Sequence, residues 1–230
     1  MTKSLLTIVL LFSSVTAVTG AEFCIGTSWC FSEGDGLEAR HSNVRTFEVT
    51  GLTVHAMDED DDSIASLGGR AGCVRWLSLH GVIGPDSTYI FKRLTSEACD
   101  DAFVIFLQSS GGTLKDGLSL GEALSDLPGK VWIPQDAVCA SACAIAFLHS
   151  ASRNVNRDAI LSFHAPYTMN DGQPDCSSGN RTLRSLFVRQ LGEESGKFAY
   201  NRMFDYCGPD QLWSLNAETM VLLGFVDEID

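Results

Sequence analysis

The chain is short of positive charge. Sixteen Lys and Arg residues stand against 29 Asp and Glu, a net charge of −13 over 230 residues. That balance argues against a nucleic-acid partner, because phosphate neutralisation needs a basic face. Long apolar runs are also scarce. Beyond the first twenty residues, no segment approaches the roughly 20 apolar residues that a membrane-spanning helix needs. Metal-binding patterns are lacking too. Cys139 and Cys143 are close in sequence, but no Cys/His pair beside them completes a zinc ligand set. The five consecutive acidic residues Asp58 to Asp62 lack the EF-hand spacing and read as a solvated loop or hairpin edge. No internal repeat and no cofactor motif appears, so neither a metal nor a cofactor is expected.

What is present fits a globular protein with one full-sized core, since 45% of the residues are hydrophobic. The opening MTKSLLTIVLLFSSVTAVTG has a positive Lys3, an apolar stretch from Leu5 to Phe12 and small residues after it. This is the pattern of a secretory signal peptide, with cleavage after Ala17, Gly20 or Ala21. The expected organisation is a signal over residues 1–20, an N-terminal extension over 21–72 and a main domain over 73–230. The expected location is the periplasm or the exterior, with no stable membrane anchor after signal cleavage. All eight cysteines come after the signal, and an even count in an exported chain suggests disulfides. Cys73 with Cys99 and Cys176 with Cys207 are the candidate pairs. Cys139 and Cys143 stay open between a bridge and buried thiols. If both lie on one helical turn, a mutual bridge is awkward.

Residues 22–72 are weakly patterned. From Val74 the texture changes, and strands alternate with helices. VRWLSLHGVI reads as a strand, and a helix begins near Pro85 and Asp86 with an apolar stripe after it. AFVIFLQSSGG contains a continuous apolar run, as in a buried strand. A helix comes after Gly111-Gly112, with Leu114, Leu118, Gly121 and Leu124 on one face. KVWIP and AILSFHAPY are further strands, and a long amphipathic helix runs from Arg181 to Phe204. TMNDGQPDCSSGN reads as a polar loop. A short helix, Gly224 and a last apolar strand close the chain. This alternation points to an α/β class with parallel strands and crossover helices.

Four features could carry chemistry. Ser109-Ser110-Gly111-Gly112 sits at a strand-to-helix turn, where glycines let backbone N–H groups face an anion. Ser141 lies at a helix start between Ala140 and Ala142, small neighbours that let a substrate backbone approach, and a helix N-terminus favours developing negative charge. His164 ends an apolar strand. Asp205 and Asp210, after the long helix, could orient that histidine. Each feature alone is more often structural.

Their order and spacing change the weighing. The span Val74 to Asp230 resembles the proteolytic subunit of the Clp protease, within the ClpP/crotonase superfamily. The Ser-Pro-Gly-Gly turn of that family corresponds to Ser109-Ser110-Gly111-Gly112, with Ser110 in place of the proline. Ser141 stands 29 residues after Gly112, and His164 stands 23 after Ser141. LNAETMVLLGFVD, Leu215 to Asp227, is similar to the family's closing segment. The resemblance implies a spiral of repeated ββα units with a long helix before the C-terminal strand. It implies Ser141 as nucleophile, His164 as general base, and the Gly112 and Ala142 amides as oxyanion hole. No acid stands at the family's aspartate position near Leu212, so Asp210 is taken as third member, with Asp205 second. The implied function is a serine hydrolase cleaving peptide or protein substrates. The rival is a catalytically silent ClpP-like binding or scaffold domain. Crotonase chemistry on acyl-CoA and a Ser/Lys dyad using Lys130 or Lys197 are weaker alternatives. Cytosolic unfoldases and ring assembly are not implied, and homo-oligomerisation stays open.

Overall fold

A computed structural model describes residues 22–25, 29–32, 44–49, 52–58, 74–96, 104–127, 129–176 and 179–229. The expected signal peptide, Glu59 to Asp62 of the acidic run, and Cys73 and Cys99 lie outside the described residues.

The strands, in chain order, are β1 (Glu22–Ile25), β2 (Trp29–Ser32), β3 (Val44–Val49), β4 (Leu52–Asp58), β5 (Val74–Ile83), β6 (Val104–Gly112), β7 (Lys130–Ile133), β8 (Val138–Ala140), β9 (Arg153–Val155), β10 (Ile160–Phe163), β11 (Thr168–Asn170), β12 (Gln173–Asp175), β13 (Trp213–Leu215) and β14 (Glu228–Ile229). The helices are α1 (Ser87–Thr95), α2 (Leu114–Ser125), α3 (Ala142–His149), α4 (Arg181–Leu191), α5 (Glu193–Met203) and α6 (Ala217–Leu222). One sheet runs β13-β10-β8-β6-β5-β4-β3, and β7, β9 and β14 branch from β6. Strands β5, β6, β8 and β10 pair in parallel, with α1, α2 and α3 as their crossovers. Parallel pairs need such connections, so the alternation seen in the sequence translates directly into this topology.

Strand β6 is where the sheet divides. Its first half, Val104–Phe106, pairs with β7, while Ser109 pairs with Cys139 of β8. The glycine turn and the Ser141 segment are thereby brought side by side. Helix α2 is held at its start by Thr113, whose hydroxyl oxygen accepts from the Asp116 amide at 3.1 Å and whose O–H donates to the Asp116 carboxylate at 2.6 Å. Two glycines let α2 close on α3. A Cβ at Gly117 would lie 2.6 Å from the Ala142 carbonyl oxygen, and one at Gly121 would lie 2.7 Å from the His149 ring.

Three expectations change. The long helix is two helices, α4 and α5, because Gly192 between them takes φ +82°. A residue in that left-handed region cannot continue a right-handed helix. The polar loop after Tyr167 contains a hairpin, β11 with β12, turning at Asp171-Gly172, both with positive φ. Asp-Gly suits such a tight turn. Finally, β3 and β4 fall in the stretch read as an N-terminal extension and continue the main sheet, β4 pairing antiparallel with β5 and β3 antiparallel with β4. Leu52 and Val54 of β4 are fully buried in its core.

Beneath β10 lies an aromatic cluster. Phe163 is 5.5 Å from Phe187, 5.9 Å from Trp213 and 5.2 Å from Phe225, ring centre to ring centre. Phe163 immediately precedes His164, so this cluster fixes the base of the segment that carries the histidine. Phe187 has no exposed surface and touches Phe163, Tyr200 and Phe225. Phe187→Ala is expected to cost about 3–5 kcal/mol of stability by chemical denaturation. Leu222→Ala, at a side chain 81% exposed, should change it by less than about 0.5 kcal/mol.

Candidate active site

A cleft of about 900 Å³ opens where β6, β8 and β10 end, and Gly111, Gly112, Ser141, Ala142 and His164 all line it. The residues singled out in the sequence, the acids apart, therefore come to one place, although 52 positions separate Gly112 from His164.

Ser141 occupies a sharp turn between β8 and α3. Its backbone stands at φ 55°, ψ −118°, a conformation that costs a non-glycine residue about 1–3 kcal/mol. Several contacts hold it there. The Ser141 amide donates to the Ser162 carbonyl of β10 at 2.8 Å, and the Ile145 amide donates to the Ser141 carbonyl at 3.1 Å. The glycine turn packs against its Cβ side. A Cβ on Gly111 would stand 2.7 Å from the Ser141 Cβ and 2.9 Å from the Ala140 carbonyl oxygen, and Gly111 itself has φ +112°. Only glycine satisfies both demands. The Gly111 amide donates to the Ser109 hydroxyl at 3.0 Å. Gly112 is required by the neighbouring strand, since a Cβ there would lie 1.8 Å from the Ile83 carbonyl oxygen. Ala142 is the first residue of α3, and its N–H has no acceptor within the helix.

Cys139 and Cys143 are joined by a disulfide that brackets Ser141, with a Cα–Cα separation of 5.2 Å. The awkwardness expected of a one-turn spacing does not arise. Cys139 is on a strand and Cys143 is on a helix, and the Ser141 turn between them sets their Cα atoms within the usual bridging range. Both cysteines are fully buried. Cys176 and Cys207 are also bridged, as expected.

His164 comes directly after β10 and is half-buried. Its Nδ1 is 2.8 Å from the Ala165 carbonyl oxygen. A carbonyl only accepts, so Nδ1 carries the proton and Nε2 presents its lone pair. Tyr167 stands against the ring, with centroids 5.3 Å apart. Neither aspartate reaches this histidine. Asp205 is exposed and bonds Arg202 at 2.7 Å. Asp210 is exposed and does not line the cleft. Chain order placed both after α5, but the turn at the end of α5 points them to the surface. The Ala165 carbonyl, which no side-chain pattern could have revealed, takes the orienting place instead.

The structure adds residues that sequence reasoning missed. Gln108 lines the cleft, and its buried Oε1 has no hydrogen-bond partner among the described residues. Asp136, at φ 57°, forms part of the rim with Val138. Neither position carries a local signal, because both owe their place to strand ends meeting. Lys130 pairs with Glu228 at 3.7 Å, and Lys197 pairs with Glu193. Neither lysine lines the cleft.

No family model matches the chain, and no curated protein matches it in sequence. Solved structures do. A serine-to-alanine mutant of the 1510-N membrane-bound stomatin-specific protease superposes with a TM-score of 0.54 at 17% identity, covering 66% of this chain and 77% of that one. A mutant of ClpP1 from Listeria monocytogenes gives 0.52 at 17%, over 68% and 91%. The chain has the ClpP-like fold. A lysine-to-alanine mutant of 1510-N in complex with a substrate peptide gives 0.52 at 18%, over 66% and 73%. Within this ClpP-like fold the cleft stands at the carboxyl ends of the parallel strands β6 and β8, where open α/β sheets commonly bind ligands. No helix among the described residues is long and apolar enough to cross a membrane. Nor do three or more His, Cys, Asp or Glu side chains among them converge on a metal position.

At the other end of α3, His149 is buried against Gly121. Burial lowers its pKa below the ordinary 6.5. The nearby Arg189 lowers it further, and Glu122 opposes the shift. The unfolded chain therefore takes up this proton first as pH falls. Stability linked to His149 is complete above pH 6.5 and is lost as pH drops from there toward the folded pKa. Urea denaturation at pH 7.5 and 5.5 should show a loss that His149→Gln reduces.

Proposed function

We propose that the protein is a serine peptidase in which Ser141 and His164 act as a dyad. The observation that carries this reading is the convergence of a strained serine, a tautomer-fixed histidine and a glycine turn on one cleft. Ser141 Oγ bonds to the scissile carbonyl carbon while its proton passes to His164 Nε2. The Gly112 and Ala142 amides stabilise the oxyanion, each donor worth roughly 3 kcal/mol. Collapse breaks the C–N bond, and the proton on Nε2 leaves with the amine. The oxygen of a water then bonds to the acyl carbon as its proton passes to Nε2, the ester C–O bond breaks, and Nε2 returns that proton to Ser141 Oγ as the acid product leaves. A peptide substrate is supported by the peptide complex of the 1510-N neighbour. An exported, oxidising location is supported by the two described disulfides and by the apolar N-terminal segment.

In this reading the backbone carbonyl of Ala165 does the orienting that an aspartate does in a triad. A carbonyl fixes the tautomer but carries no full charge to stabilise an imidazolium. Turnover is accordingly expected to be slower than that of a full triad. The same observation sustains one rival, a ClpP-like domain that binds peptides without cleaving them.

A fluorophosphonate probe distinguishes the two. Labelling is expected at Ser141, to vanish in Ser141→Ala, and to slow by about 10²–10⁴-fold in His164→Ala. Asp210→Ala should stay within about twofold of wild type, because its exposed carboxylate is outside the cleft. Intact labelling in Ser141→Ala would remove Ser141 as nucleophile. Absence of labelling in the folded wild-type chain would favour the binding domain.

A further inference from the structure

We propose that the Cys176–Cys207 disulfide is the positioning element of His164, so that the histidine is held in its working orientation only in the oxidised chain. This inference rests on the dyad reading above. A short chain of contacts leads from the bridge to the imidazole. Cys207 forms a parallel bridge with Ala165, and the Ala165 amide donates to the Tyr206 carbonyl at 2.9 Å. The Ala165 carbonyl in turn accepts from His164 Nδ1 at 2.8 Å. The Cys207 amide donates to the Gln211 side chain at 3.2 Å, and the disulfide ties Cys207 to Cys176 at the end of the β11–β12 hairpin.

The segment that carries this load is irregular, anchored to the core by the partly buried Phe204 and Tyr206 and by the buried Gly208. Residues 204–212 form neither helix nor strand, and most of them are exposed. Hairpin β11–β12 is a separate two-stranded sheet outside the main one. Such a hairpin is marginal alone in water. The remaining ties of the segment include Arg202 with Asp205 and Tyr206, surface pairs of small worth. Both sides of the cleft entrance depend on the bridge as well. Tyr167 and Met169 line it from the hairpin side, and Pro209 and Leu212 line it from the other.

The two described disulfides differ in access. Cys139 and Cys143 have no exposed surface, whereas Cys176 and Cys207 are half-buried. A thiolate must reach a sulfur to exchange with it, so a dithiol reductant opens Cys176–Cys207 first. Closure is the reverse. The two thiols give two electrons and two protons to a disulfide oxidant, which leaves as a dithiol. A chain in which only Cys176–Cys207 has been opened would therefore keep Cys139–Cys143 and its Ser141 turn but leave its histidine unfixed. Catalysis would switch on with oxidation after export, which confines proteolysis to the destination compartment.

The test uses the full chain, oxidised and then treated with graded dithiothreitol, with opened cysteines mapped by alkylation and mass spectrometry. Nitrogen-15 shifts of the His164 ring are expected to show the Nδ1–H tautomer in the oxidised chain and an averaged signal once Cys176–Cys207 opens. Ser141 labelling by the fluorophosphonate should slow by about 10–100-fold at that point, as expected of a group misplaced by about an ångström. It should recover on reoxidation. Cys176→Ser/Cys207→Ser should reproduce the slow state without recovery, and should flatten the pH profile of labelling. The proposal is overturned if the His164 tautomer signal and the labelling rate are unchanged after Cys176 and Cys207 are alkylated. If the oxidised chain shows the tautomer and its redox response but Ser141 is never labelled, the dyad reading fails and the positioning role stands. Should the double variant not fold, partial reduction of the wild-type chain supplies the same comparison.

Discussion

The hydrogen bond from the Ser141 amide to the Ser162 carbonyl is the contact on which the cleft depends. It extends the parallel pairing of β8 with β10 by one residue, just as the chain turns into α3. Through it the strained serine is locked to the strand that delivers His164 two residues later. That bond is one of the constraints that keep the Ser141 backbone at φ 55°. Local strain persists only where surrounding structure over-determines it.

Here the over-determination comes from three sides. Strand β10 supplies the acceptor, Gly111 supplies the space, and the Cys139–Cys143 bridge closes the turn from strand to helix. Helix α3 adds a buried base, since every residue from Ala142 to His149 is inside the protein. Glycines of α2 let its neighbour pack at short range against both ends of that helix. The serine side of the cleft is thus rigid and interior. The histidine side is built differently. Phe163 anchors it in an aromatic cluster, but Ala165 leans on an irregular surface segment and a covalent tie. One cleft therefore joins a core-built half to a strap-built half.

Much of this was legible in the residues alone. The parallel α/β class came from the alternation of apolar runs with helical stripes, because each signal reports burial of one element by its neighbours. Ser141, His164 and the Gly-Gly turn stood out through their order and spacing. The Cys176–Cys207 pairing was also anticipated. The features that were missed or left open share a cause. The break at Gly192, the β11–β12 hairpin and the Cys139–Cys143 bridge all turn on the backbone angle of one or two residues. Such angles leave only a faint mark in residue types.

The acid and the carbonyl mark the boundary between the two kinds of information. Sequence determined which side chains were available: a serine among small neighbours, a histidine after a strand, two aspartates downstream and no competing metal pattern. Side-chain chemistry and spacing are properties of the chain itself, so they can be read without a fold. Only the tertiary structure decided who meets whom. It turned Asp205 and Asp210 outward and brought the Ala165 carbonyl to His164. A backbone carbonyl is present at every residue and is therefore invisible as a motif. Its role arises from where the strand ends and how the next segment bends, and that is settled by packing.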